Sequence, residues 1–269
     1  MKIVRADGST QEFKSYKLKN SLERSGASQS LASQITKEIA LNLKPGDTTL
    51  AIYNKAFKLL KSYEKPVASR YSLKQAIMAL GPTGYPFEQL VGRLFEYQGF
   101  KVTYPDFMMG RCVGHEIDVL ALKDGQRLAI EAKFHNQPGV KSDVKTALYI
   151  KARCDDLREA PNGKNIECVI VTNTKFTKDA EQYAECAKVR LIGWGYPKGL
   201  GIEKMLEESG IMPITVLISL NKKEKDLLLQ NNIVVCGDIL KNTKILQSFG
   251  ISGGKIKSCV EEINKILSI

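Results

Sequence analysis

The chain is short of the features that mark several large classes of protein. No apolar run reaches the roughly 18 to 20 residues needed to cross a bilayer. The N-terminus, MKIVRADGSTQEF, carries a single Lys ahead of an alternating, strand-like pattern and lacks the apolar core of a signal peptide. A cytoplasmic protein with no membrane partner is expected. Histidine occurs only twice, and the six cysteines (Cys112, Cys154, Cys168, Cys186, Cys236, Cys259) include no C-x-x-C pair. That spacing suits neither a zinc site nor a disulfide framework, so the thiols are expected to be reduced and mostly buried. There is no internal repeat and no low-complexity stretch.

Acidic residues are scarce relative to basic ones. The 269 residues carry 40 Lys+Arg against 29 Asp+Glu, a formal net charge of +11. The excess is uneven: residues 1–80 hold 14 basic against 6 acidic side chains, residues 81–210 balance at 18 each, and residues 211–269 hold 8 against 5. A basic surplus points to a polyanionic partner, nucleic acid or nucleotide phosphate. A neutral middle fits a segment that gathers carboxylates around a metal ion.

Punctuation divides the chain into three, at residues 1–82, 83–210 and 211–269. In the first, two alternating stretches at 2–5 and 10–13 flank Asp7-Gly8, a hairpin signal. Helical patterns follow at 15–25, 29–42, 48–62 and 67–79, with N-caps at Ser28 and at Asp47-Thr48-Thr49. The turn-rich Gly81-Pro-Thr-Gly-Tyr-Pro86 ends this hairpin-plus-bundle. The middle segment reads as a helix at 86–98, a strand at 101–104, strands at 115–122 and 127–134 joined by Asp124-Gly125, a helix at 142–158, a strand at 167–172, a helix at 177–187 and a strand at 189–193. Strands 167–172 and 189–193 flank a helix and should be parallel, giving a mixed sheet between helices and an α/β (α+β overall) protein. The third segment is a run of short helices at 222–230, 236–240, 242–248 and 254–267.

The strand Leu128-Ala-Ile-Glu-Ala-Lys-Phe134 bears the chemistry. Strand alternation puts Glu131 and Lys133 on one face and Ile130, Ala132 and Phe134 on the other. On the partner strand, Asp118 opens the apolar run Val119-Leu-Ala-Leu122, a place where a merely solvated acid is out of keeping. An antiparallel hairpin through Asp124-Gly125 brings Asp118 opposite Glu131 and Lys133. Two carboxylates and an ammonium at one edge suit Mg²⁺, or Mn²⁺, and phosphate chemistry. A plain surface ion pair is the alternative. Glu116 shares the face of Asp118 as a further candidate ligand, and His135 shares the face of Lys133. Lys145, Lys151 and Arg153 on the next helix are candidates to line a DNA groove.

Glu88 in Phe87-Glu-Gln-Leu-Val-Gly-Arg-Leu-Phe-Glu-Tyr-Gln-Gly-Phe100, then Gly114-His-Glu-Ile-Asp118, then Glu131-Ala-Lys133, resembles the PD-(D/E)xK nuclease superfamily, and within it the Mrr-type restriction endonuclease domain. The likeness spans about residues 86–195, although Ile117 stands where the motif has Pro. It implies a restriction-endonuclease-like fold, metal ligation by Asp118, Glu131 and Glu88, and a catalytic role for Lys133 beside all three.

The first segment resembles the ATP-cone of ribonucleotide reductases and their repressor, through Val4-Arg-Ala-Asp-Gly8, Phe13, Lys17-Leu18, Thr49, Tyr53 and Ala68-Ser-Arg-Tyr71. That likeness implies ATP or dATP as a regulatory ligand, with Val4, Arg5, Lys17, Thr49 and Tyr53 as its contacts; Ala6 replaces a customary basic residue. The third segment loosely resembles a helix-hairpin-helix, with Phe249-Gly-Ile-Ser-Gly-Gly-Lys-Ile256 offering helix N–H groups, and Lys255 and Lys257, to a DNA phosphate. The expectation is a Mg²⁺-dependent endodeoxyribonuclease gated by ATP or dATP, acting on DNA, with a homodimer among the arrangements allowed. Two alternatives stand beside it: a non-catalytic, nucleotide-responsive DNA-binding regulator, and a nuclease specific for branched DNA or for RNA.

Overall fold

The computed structural model describes every residue except 162 and 269. Strands β1 (Lys2–Val4) and β2 (Thr10–Glu12) pair antiparallel with Ile3 opposite Gln11. Gly8 at φ +80° lets the turn between them close. Helices α1 (Ser15–Arg24), α2 (Gln29–Leu41) and α3 (Thr49–Tyr63) follow. The Ser28 hydroxyl caps α2 by accepting from the Leu31 N–H, and the Thr48 hydroxyl caps α3 from the Ala51 N–H. The single helix expected at 67–79 is two, α4 (Lys65–Tyr71) and α5 (Leu73–Met78). The break falls at Ser72, whose hydroxyl bonds back to the Ser69 carbonyl and whose N–H closes α4.

In the middle of the chain, α6 (Tyr85–Tyr97) leads to β3 (Lys101–Thr103), β4 (Asp106–Met109), β5 (Gly114–Ile117), β6 (Val119–Lys123), β7 (Gln126–Lys133), β8 (Lys141–Ser142), α7 (Val144–Glu159), β9 (Ile166–Thr172), β10 (Lys175–Phe176), α8 (Lys178–Ala187), β11 (Arg190–Ile192) and α9 (Ile202–Ser209). Five strands form one mixed sheet in the order β11-β9-β7-β6-β3. β3, β6 and β7 are antiparallel neighbours, while β7, β9 and β11 are parallel. The β6–β7 turn uses Asp124 and Gly125, both at positive φ. Ala129, Cys168 and Ile170 bury against Ile150, Cys154 and Leu157 of α7 and Ala180 and Ala184 of α8. α6 packs on β3 and β6, and Phe87 on α6 meets the Phe134 ring at 5.7 Å. The mixed sheet between helices is thus the expected architecture.

Two expectations need correction here. The strand expected at 115–122 is broken at Asp118: its first half, β5, leaves the main sheet and pairs with β4 in a separate ribbon. No glycine, proline or turn signal marks the break, so sequence alone hides it. The thiols are not all free either. Cys154 on α7 and Cys168 on β9 form a disulfide across the buried helix–sheet interface. Both face inward from elements that pack together, and no local spacing announces that. Of the free cysteines, Cys236 and Cys259 are buried and Cys112 and Cys186 exposed.

After a 3-10 turn at Ile214–Val216 come α10 (Lys222–Gln230), α11 (Cys236–Lys241), α12 (Lys244–Ser248) and α13 (Gly253–Leu267). The chain forms two compact units, one from residues 77–212 and one from residues 1–76 together with 213–269. In the latter, the Arg70 guanidinium donates to the Ile266 carbonyl, Ser69 to the Glu262 carboxylate, and Thr215 to the Ala76 carbonyl. The two outer segments, separate by sequence punctuation, share one fold. Among the described residues no helix is long and apolar enough to cross a membrane.

Candidate active site

Asp118 occupies the bend between β5 and β6. Strand pairing reaches Val119 opposite Ile130, and one residue further on the Asp118 carboxylate accepts the Ala132 N–H at 2.8 Å. The side chain thereby faces the C-terminal end of β7, which carries Glu131 and Lys133. Glu88 reaches the same place from the first turn of α6, just after Pro86. All four line a cleft of about 340 Å³, together with Pro82 and Asn136. Glu88, Asp118, Glu131 and Lys133 therefore share one recess, which the candidate ligand Glu116 does not line.

Electrostatics mark the recess as strained by like charge. Burial, reinforced by Asp118, Glu116 and Glu131, pushes the Glu88 carboxyl up to about 7. Burial and Glu131 push Asp118 up to about 6, against the pull of the Ala132 N–H and the Arg153 cation. Clustered acids with raised pKa values in a cleft suit a site that takes a cation or trades protons. Among the described residues no three His, Cys, Asp or Glu side chains make a ready metal-binding group. The donors present, hard carboxylate oxygens, fit an ion that takes one or two protein carboxylates and completes its shell with water.

Arg153 explains part of this. Expected to line a groove, it turns inward instead: its Nη1 donates to the Glu131 Oε2 at 2.8 Å, and both side chains are largely buried. Its Nη2 donates to the Tyr149 hydroxyl, the cation lies 5.0 Å from that ring centre, and Nε is buried without a partner among the described residues. Arg153 therefore holds one oxygen of Glu131 and leaves the other to the cleft. Of its companions, Lys145 is exposed, and Lys151 is engaged by Asp155 one turn on. His135 is also committed. Its Nε2 meets the Ser142 hydroxyl at 3.1 Å, in a chain continuing through Thr172 and Thr174, and its backbone is clasped by Asn173. Burial, then Lys133, lowers its pKa, and its hydrogen bonds help fix the end of β7.

The residues expected to hold nucleotide are less convergent. Val4 bridges to Thr48, next to Thr49 at the start of α3. The Arg5 Nε donates to the Gln11 side chain at 2.8 Å. Tyr53 stacks on Tyr71 at 5.2 Å, and burial pushes its hydroxyl up to about 12. Lys17 lines a separate open recess of about 720 Å³ with Asn20, Glu23 and Arg24, which none of the other four enters. Lys255 is bound by Glu224 at 2.6 Å, whereas Lys257 is exposed.

Comparison with known proteins bears on the family and on the fold of the central segment. Residues 81–194 match the restriction endonuclease family, and residues 212–267 match the family described as AF1548-like, C-terminal. An uncharacterized protein of Archaeoglobus fulgidus is 38% identical over 178 residues, 66% of this chain and 99% of that protein. The crystal structure of AF1548, described as a protein of unknown function, superposes with a TM-score of 0.58 at 37% identity, covering 69% of this chain and 99% of that one. The restriction endonuclease MspJI in complex with a 27-mer oligonucleotide is far more distant, at 15% identity and a TM-score of 0.37, over 62% of this chain and 36% of its own. The chain belongs to the AF1548-like family, and its central segment is a restriction-endonuclease-like domain.

Proposed function

We propose that the protein is a divalent-metal-dependent endodeoxyribonuclease, with Glu88, Asp118, Glu131 and Lys133 as its active site. The observation that supports it best is the meeting of these four side chains in one cleft, from three separate elements. Asp118 and Glu131 would hold Mg²⁺, or Mn²⁺, with Glu88 at the edge. The bound ion would supply a Lewis acid for the phosphate and a more acidic water. Lys133, exposed at the cleft, would orient the attacking water and offset charge developing on the phosphate. Glu88, with a pKa near 7, can accept or release a proton there. Arg153 holds Glu131 in place through their ion pair. The test is plasmid cleavage with Mg²⁺ or Mn²⁺. Wild type should nick DNA, whereas Asp118→Ala and Lys133→Ala should lose cleavage by two or more orders of magnitude while still binding DNA. A wild type that cuts neither DNA nor RNA with either metal would make the DNA-binding regulator the better account.

Residues 1–82 would serve as an ATP- or dATP-binding module that gates the nuclease. Support comes from the hairpin-plus-bundle architecture and its basic excess, and the spread of the five candidate contacts weighs against it. Calorimetry on the whole protein should detect nucleotide binding, weakened by Lys17→Ala. Any gating must be reciprocal, so DNA should shift nucleotide affinity by the same factor.

A further inference from the structure

The β4–β5 ribbon exposes large apolar side chains beside the carboxylate cleft. Phe107 is 65% exposed and Met109 63%, and Val113 in the connecting turn is 55% exposed. Phe107 lies directly opposite Glu116 and Met109 opposite Gly114, so the Phe107, Glu116 and Met109 side chains leave one face of the ribbon. Glu116 lies two residues before Asp118, at the end of β5 that leads into the cleft, and Phe107 pairs with it across the ribbon, so the Phe107 end of the ribbon is the one nearer the carboxylates. The Phe107 ring lies across Gly114, where an added Cβ would fall 2.1 Å from its tip. The ribbon itself is tied down by Asp156 of α7, which accepts the Cys112 and Val113 N–H groups and the His115 ring, while the Arg111 N–H bonds to the Asp156 carbonyl. Exposed apolar side chains clustered on a braced projection beside the carboxylates offer a surface on which a flat apolar group can stack.

Two or three side chains are far too little surface for a stable dimer, which takes about 800 Å² from each partner. A patch this small suits a single flat group instead, such as a nucleobase. We propose that the Phe107 and Met109 edge of the ribbon inserts against the nucleobases at the site of cleavage, unstacking or kinking the DNA, so that the preferred substrate is a step already distorted or unpaired. The inference rests on the nuclease reading in placing DNA at the cleft. Apolar wedges act on duplexes in this way elsewhere, and an aromatic face stacks on any base.

The experiment uses the full-length protein with Ca²⁺ in place of Mg²⁺, so that binding is read without cutting. The probes are 2-aminopurine oligonucleotides, one fully paired and one with a single mismatch. Wild type should bind the mismatched duplex at least about tenfold more tightly and change its fluorescence. Phe107→Ala should abolish the preference and the fluorescence change, and Phe107→Trp should restore both. Gly114→Ala should act like Phe107→Ala by dislodging the ring without removing it. Light scattering should give the same mass for wild type and Phe107→Ala; a loss of dimer in the variant would overturn the proposal in favour of a contact between copies. Unchanged binding and fluorescence in Phe107→Ala would also overturn it, leaving the nuclease reading intact. A mismatch preference that depends on Phe107 in a protein that never cuts would uphold the wedge and refute the nuclease.

Discussion

Removing the charge of Asp118 or Glu88 should stabilise the metal-free protein, although it damages the cleft. Both carboxyls have folded-state pKa values raised to about 6 and about 7. Between the ordinary carboxylate range, near pH 4, and those values, the folded chain keeps protons that the unfolded chain has released. Stability from this source is therefore present below about pH 4 and lost as pH rises to about 7. Thermal melts in EDTA should show wild type losing stability over that window. At pH 8, Asp118→Asn and Glu88→Gln should each gain about 1 kcal/mol, discounted for partial solvent access, and rejoin wild type at low pH. A flat wild-type profile from pH 5 to pH 8 would count against the like-charge account. Adding Mg²⁺ should restore the wild type's stability by mass action and do nothing for Asp118→Asn. These positions were legible in the sequence because strand alternation is local: Glu131 and Lys133 are two apart, and Asp118 starts an apolar run. The role of Arg153 was not legible. A helix with charges on several faces does not say which one turns toward a sheet partner 22 residues away.

Among the elements, the long helices and the strands β6, β7 and β9 follow from periodicity and caps, because a single face of each is apolar and their ends carry turn residues. The β4–β5 ribbon does not follow, because it buries too little to impose a pattern; its exposed face is itself apolar. The bond between Cys154 and Cys168 escaped for another reason: it joins an element to its packing neighbour, a tertiary fact with no signature in spacing. It carries a direct check. Thiol titration of the denatured, unreduced protein should count four free thiols, those of Cys112, Cys186, Cys236 and Cys259; a count of six would remove the bond. With the bond present, reductant should lower stability in urea titrations by about 2 to 3 kcal/mol, since it frees a short loop in the unfolded chain.

At the scale of the whole molecule, the segments 1–82, 83–210 and 211–269 are arranged as two compact units. Residues 213–269 complete the fold of residues 1–76. A fragment of residues 77–212 should therefore fold alone, with cooperative melting and its disulfide formed. A chain truncated at residue 212 should keep that unit intact while amide exchange quickens in α4, which loses the Glu262 and Ile266 partners of Ser69 and Arg70. Equal protection of α4 in both chains would show that the first segment needs no help. The same connectivity sets an order for synthesis. Residues 1–76 emerge before residues 77–212 and wait, part of their packing surface uncovered, while the restriction-endonuclease-like unit forms behind them; α13, made after both, closes the earlier segment. A ribosome that stops early thus leaves a chain whose middle is folded and whose beginning is marked as unfinished, a state that proteases and chaperones distinguish from the complete protein.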